Sequence, residues 1–349
     1  MDGRLRHGSP RPSKQQKAFH EDLGNVGHKS RNGSSAPGHD HYTIAWICAL
    51  HIEMAAACAM LDETRKAPST HVNDSNTYIL GSIKHHNVVI ACLPNSQYGQ
   101  NNAAIVLTNL TRTFPSIRLG LMVGIGGGVP SKADIRLGDI VVGTRVMQYD
   151  FGKIVGDGQL QRTAIPKFPH QSLRTAVSTL RSEHERQPSR VLSIFEEKLG
   201  GHPAYGRPSS LDRLFQATYD HEDHEGPGCD RCSQPRLVLR SKRLSDNPII
   251  HYGAIASGNQ VMRHGRTRDD IARQLDVICF EMEAAGLMDI LPCLPIRGIC
   301  DYSDSHKSKE WQRYAAATAA AYARELLEIL PAAESQARVA CAPNASKLA

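Results

Sequence analysis

The chain has 349 residues, 40% of them hydrophobic and 22% charged, with a formal net charge of +6. That length suits one large α/β domain with tails or two small domains. With no apolar run of about 18 residues and no leader-type apolar core at the N-terminus, a soluble, cytoplasmic protein is expected rather than a membrane-spanning or secreted one.

Residues 1–40 carry Arg4, Arg6, Arg11, Lys14, Lys17, Lys29 and Arg31 against Asp2, Glu21, Asp22 and Asp40, so this stretch holds +3 of the net charge. It is rich in Gly, Ser, Pro, Lys and His with no apolar period, which predicts a disordered basic tail. Only Phe19 interrupts it as an aromatic, so nucleic-acid binding is not expected. The nine cysteines are an odd number, and Cys48, Cys92, Cys279 and Cys300 sit in apolar stretches, which argues for reduced thiols rather than a disulfide framework.

The folded domain is expected over 41–331, with a tail over 332–349. Tyr42 to Leu50 is a continuous apolar run, as in a strand covered on both faces. Glu53 follows at the start of an Ala-rich helix over 54–61, where it is either a helix-start acid or a working carboxylate. Residues 78–93 read as a hairpin turning at Lys84 to Asn87, and 101–114 as a helix with apolar residues at Ala104, Ile105, Leu107 and Leu110. A strand over 119–124 opens into Ile125-Gly126-Gly127-Gly128-Val129-Pro130, read as a loop. Val129 stands where a dinucleotide fingerprint needs its third glycine, and no Gly-Lys-Ser/Thr follows, so Rossmann and P-loop readings fail.

Residues 157–247 are polar, with one helix near 173–180, and read as an insertion able to form a lid. They contain His221, His224, Cys229 and Cys232, a donor set and Cys-x-x-Cys spacing suited to a structural tetrahedral zinc. Apolar strands resume at 249–258, 277–280 and 295–300, with helices over 268–275, 282–290 and 310–330. The last helix is expected to keep its charges on the outer face. Glu283 and Asp301 stand where two of these strands end; Glu281 reads as a surface acid.

The segments Y-G-A-I-A-S-G-N-Q-V-M, C-F-E-M-E-A-A-G-L-M-D and P-I-R-G-I-C-D-Y-S-D-S-H-K, with the early Glu53 strand, resemble the purine nucleoside phosphorylase and nucleosidase superfamily over about 42–330. The resemblance is greatest to the fungal nucleoside-phosphorylase-like domain found in front of immune-receptor-type modules. It implies an α/β three-layer sandwich with a central mixed sheet flanked by helices. It also implies that Asp301 is the acid for purine N7, that Glu53 orients the attacking water and that Glu283 binds the ribose hydroxyls. Met282, Gly126 and Gly127 would lie against the sugar, and Asn259, Val261 and Met262 near the base. A carboxyl at a buried strand end is expected to have a raised pKa, suiting Asp301 to carry a proton.

Where phosphorylases of this superfamily place an Arg and a hydroxyl around phosphate, the sequence suggests Met122 and Ile125, which favours hydrolysis. The expected activity is therefore release of adenine from a purine nucleoside or nucleotide, with ATP as leading substrate and Lys153, Arg263, Lys307 and Lys309 as candidate polyphosphate contacts. The alternatives are a phosphate-dependent phosphorylase, a methylthioadenosine-type nucleosidase, or a non-catalytic ligand-sensing domain. No cofactor is expected for catalysis, and a homo-oligomer without membrane partners is expected.

Overall fold

The computed structural model describes residues 38–67, 69–222 and 229–332. Apart from 38–40 and 332, the expected tails lie outside the described residues. The first strand, β1 (Ile44–Cys48), is buried throughout. Its side chains alternate between two cores, Ile44, Trp46 and Cys48 on one face and Ala45 and Ile47 on the other. Next come α1 (His51–Ala59), β2 (Glu63–Arg65) and the hairpin of β3 (Tyr78–Ile83) and β4 (His86–Cys92). In α2 (Gln100–Thr113) the buried face is Ala103, Val106, Leu107 and Leu110. The apolar Ile105 of the same helix is 58% exposed, outside the face by which α2 docks on β4 and on a short helix late in the chain.

β5 (Leu119–Gly128) runs straight through the glycine stretch that was expected to be a loop. Strand pairing captures it on two sides, and residues without side chains allow both neighbours to approach. The chain continues through β6 (Ile140–Gln148), the small hairpin β7 (Gly152–Ile154) and β8 (Leu160–Arg162), α3 (Gln171–His184) and α4 (Val191–Leu199). It ends with β9 (Ile250–Ser257), α5 (Gly265–Leu275), β10 (Val277–Glu281), α6 (Ala284–Leu287), β11 (Leu294–Asp301) and α7 (Gln312–Ile329).

The main sheet has the mixed order β10-β9-β6-β11-β5-β1-β4-β3-β2, and β10 also pairs antiparallel with β5. That extra pairing closes β5, β11, β6, β9 and β10 into a ring whose strands contribute Val141, Ile255, Cys279 and Ile299 to one apolar cluster. Helices α1, α3, α4 and α7 supply one core and α2 with α6 the other, as the expectation of a mixed sheet between helices requires.

Within 157–247, α3 and α4 bury Leu173, Leu180, Ile194 and Phe195 in the core shared with α7. The charges of α7 are not all on its outer face. Arg324 is buried, donates to the Met60 carbonyl and pairs with Asp62 at 2.7 Å. Glu325 is buried and accepts from Arg190 N at 2.8 Å and Ser189 Oγ at 3.0 Å, tying α7 to the α3–α4 connection. Among the described residues no helix is long and apolar enough to cross a membrane.

Candidate active site

Residues at or near the ends of β1, β5, β10 and β11 line one cleft of about 1100 Å³. Glu53 reaches it from the first turn of α1, where it is 3% exposed. Its Oε2 accepts the backbone N–H groups of Ala49 (2.7 Å) and Leu50 (2.9 Å), and Oε1 accepts that of Ile125 (2.8 Å). Glu53 is therefore both a helix-start acid and a cleft residue. Gly124 is required beside it, since a Cβ there would collide with the carboxylate. Burial pushes the Glu53 carboxyl above the ordinary range, opposed by the nearby Arg297 charge and by the three N–H donors.

Arg297 is the residue that sequence reasoning missed. It lies mid-strand in β11, 1% exposed, and donates to Glu281, with Glu283 Oε2 at 3.6 Å and the Ile125 carbonyl at 3.3 Å. Its Nε has no hydrogen-bond partner among the described residues. Glu281 is consequently no surface acid. It is buried beneath Arg297, and its carboxylate also accepts the N–H groups of Glu283 (3.1 Å) and Ala284 (2.9 Å), fixing the start of α6.

Glu283 lies at that helix start, its Oε1 3.4 Å from the Gly99 N–H. Burial raises its carboxyl; Arg297 opposes this and the charges of Glu281 and Glu53 add to it, leaving the group at about 7. Three buried carboxylates thus lie around one buried guanidinium, and burial raises both Glu283 and Glu53 against its charge.

Asp301 ends β11 at the other side of the cleft. The raised pKa expected for it is not found. Burial does push the carboxyl up, but the Lys307 ammonium 2.8 Å from Oδ1, the Ser303 N–H (2.8 Å) and the Cys300 thiol outweigh burial and hold it below the ordinary aspartate range. Lys307 in turn is raised by Asp301 against its own burial. A side chain at Gly127 would strike Ser303 and come within 2.6 Å of Asp301 Oδ1, so glycine is needed for this corner.

Gly126, Gly127, Met282, Val261 and Met262 all line the cleft, Val261 at an exposed position. Asn259 does not. Its Oδ1 accepts from Gln100 N–H (3.1 Å) and its own N–H donates to Asp150 (2.7 Å). Met122 is fully buried in the α2-side core, away from the cleft, whereas Ile125 does line it. The alternation of β5 points neighbouring side chains to opposite faces, which the sequence reading of Met122 overlooked. Of the basic candidates, Arg263, Lys307 and Lys309 line the cleft and Lys153 lies on β7 outside it.

The expected metal ligands are partly assembled. His221 Nδ1 is 3.2 Å from Cys232 Sγ and 3.8 Å from Cys229 Sγ. His224 lies outside the described residues. In its place the structure brings in His306, from the loop after β11, so that His221, Cys232 and His306 can offer donors to one ion.

The model of the Phosphorylase superfamily matches residues 43–195. A nucleotide-binding leucine-rich repeat (NLR)-like protein of Hyaloscypha variabilis is 44% identical over 86% of this chain, which spans only 30% of that protein's length. The 5′-methylthioadenosine/S-adenosylhomocysteine nucleosidase of Mycobacterium bovis is 26% identical over 83% of this chain and 97% of its own.

Among solved structures, futalosine hydrolase of Helicobacter pylori superposes with a TM-score of 0.56 at 15% identity, covering 83% of this chain and 99% of its own. The 5′-methylthioadenosine/S-adenosyl homocysteine nucleosidase of the same organism gives 0.55 at 15% identity, covering 84% and 99%. At that identity the likeness shows the fold. Over residues 43–195 the chain is similar to the Phosphorylase superfamily.

Proposed function

We propose that this chain is a purine N-ribosyl hydrolase that releases adenine from a nucleoside of the 5′-methylthioadenosine type. The observation that carries the reading is Glu53, a buried carboxylate aimed by three backbone N–H groups into the same cleft as Glu283 and Asp301. Such a group accepts the proton of an attacking water and stabilises positive charge at the ribosyl centre. A phosphate dianion at that end would face Glu53, and the buried Arg297 guanidinium is already committed to Glu281 and Glu283. Hydrolysis is therefore favoured over phosphorolysis.

At the other end Asp301 is ionised at neutral pH. Lys307 supplies the proton: its ammonium donates to Oδ1, and as the glycosidic bond breaks and N7 becomes basic, the proton moves through Asp301 to the leaving purine. Glu283 accepts from the ribose hydroxyls, an interaction that strengthens as the ring becomes cationic. Similarity to the mycobacterial nucleosidase over nearly its whole length supports the substrate class.

A second reading, adenine release from nucleotides including ATP, is favoured by one observation. The exposed Arg263, Lys309 and Arg313 line the same cleft and offer charge to a 5′ polyphosphate. Initial rates of adenine release from methylthioadenosine, adenosine, AMP and ATP separate the two readings. Methylthioadenosine as the best substrate supports the first, ATP the second, and no release from any of them overturns both.

A further inference from the structure

The loop that carries Lys307 also carries His306, and the densest cluster of unused metal-ligating side chains meets there. Cys229 and Cys232 form a tight turn in which the Cys232 N–H donates to the Cys229 carbonyl at 3.2 Å, as in a zinc knuckle. The His306 side chain is 4% exposed, stacked on Phe215 with ring centroids 4.2 Å apart, and edge-on to His221 at 5.5 Å. Neither of its ring nitrogens has a hydrogen-bond partner among the described residues. A buried imidazole left without partners is costly, and a metal ion removes that cost.

The ligand atoms of His221, Cys232 and His306 all lie within 4.8 Å of one another. Around tetrahedral zinc a thiolate sulfur and an imidazole nitrogen stand about 3.6 Å apart. The two sulfur distances from His221 Nδ1, 3.2 and 3.8 Å, bracket that value. We infer that His221, Cys229, Cys232 and His306 bind one structural zinc ion, and that this ion clamps residues 212–222 and 229–240 onto the loop that positions Lys307.

The clamp has other contacts in the same place. The His221 N–H donates to Ser305 Oγ at 2.9 Å, Arg240 donates to Tyr302 Oη at 2.8 Å, and the Tyr302 hydroxyl donates to Asp212. Four protein ligands leave no open position, which makes the metal structural rather than hydrolytic. The metal assignment stands independently of the reaction; only its value for catalysis rests on the proposed role of Lys307.

The test is the metal content of the full chain after zinc loading and exhaustive dialysis, with circular dichroism as the folding control. About one zinc per chain is expected in the wild type. Cys232→Ser and His306→Ala should lose it, whereas His306→Cys, which keeps a ligand, should retain it. Cobalt(II) bound to the wild type should show thiolate charge-transfer and tetrahedral ligand-field bands. No stoichiometric metal, cobalt without thiolate bands, or full retention by His306→Ala would overturn the site. Amides of residues 302–308 should exchange faster after chelation; unchanged exchange would overturn the clamp.

Discussion

Glu53→Gln tests the nucleophile end of the cleft while keeping its shape. In the wild type Oε2 accepts two N–H groups and Oε1 a third. Glutamine offers one oxygen, so its best orientation keeps Ala49 and Leu50 and turns its NH₂ toward the Ile125 N–H. Both the Ile125 N–H and the glutamine NH₂ are then left without an acceptor, at a cost of about 1–3 kcal/mol each. Against this, the variant no longer buries a charge, the effect that already raises the Glu53 carboxyl. The two terms oppose each other, and net destabilisation should stay below about 2 kcal/mol.

The rate should fall much further. Loss of a positioned general base costs about 10²–10⁴-fold, equivalent to about 3–5 kcal/mol in the barrier. Single-turnover adenine release, measured beside urea denaturation, separates the two effects. A folded variant within about threefold of the wild-type rate would refute the assignment of Glu53 as base.

Removing Arg297 as Arg297→Leu leaves Glu281, Glu283 and Glu53 without their shared cation. Urea denaturation should show a loss of about 3–5 kcal/mol, smaller at pH 5 than at pH 8 because protonation relieves the carboxylates; a pH-independent loss would sink the charge-cluster account. Glu283 has a folded pKa raised to about 7, above its unfolded value, so the stability it contributes is fully present at low pH and lost as pH rises through about 7. Glu283→Gln should flatten that part of the stability profile, and an unchanged slope would assign it to another group. In Lys307→Met, Asp301 loses the partner that holds it ionised, and its carboxyl should rise. Only the protonated form can then act, so activity should fall with increasing pH in the variant; the same pH profile as wild type would exclude the Lys307–Asp301 relay.

The strands were legible because their coverage is written in composition. β1, β10 and β11 are largely apolar runs that meet polar residues where the cleft begins, so Glu53, Glu283 and Asp301 stand out by position. Arg297 had a signal of its own, a single charge inside P-I-R-G-I-C, and a buried arginine on a strand requires carboxylates nearby. That would also have rescued Glu281 from the surface. The helix α4 showed apolar residues at Val191, Ile194, Phe195 and Leu199, a helical spacing hidden within a polar segment.

Other features depend on distant parts of the chain meeting. The low pKa of Asp301 requires the loop to turn Lys307 back onto it, and local sequence does not specify that turn. His306 joins His221 and Cys232 only because residues 212–222 and 229–240 dock on the loop after β11. The glycine run reads locally as a loop, and only pairing with both β10 and β11 makes it strand.

Hydrolysis in a cleft organised by Glu53 is tested most directly by product analysis of 5′-methylthioadenosine incubated with the protein, with and without inorganic phosphate. Adenine and the free thioribose, formed at the same rate in both conditions, are the predicted result. A sugar 1-phosphate formed only when phosphate is present would contradict the account.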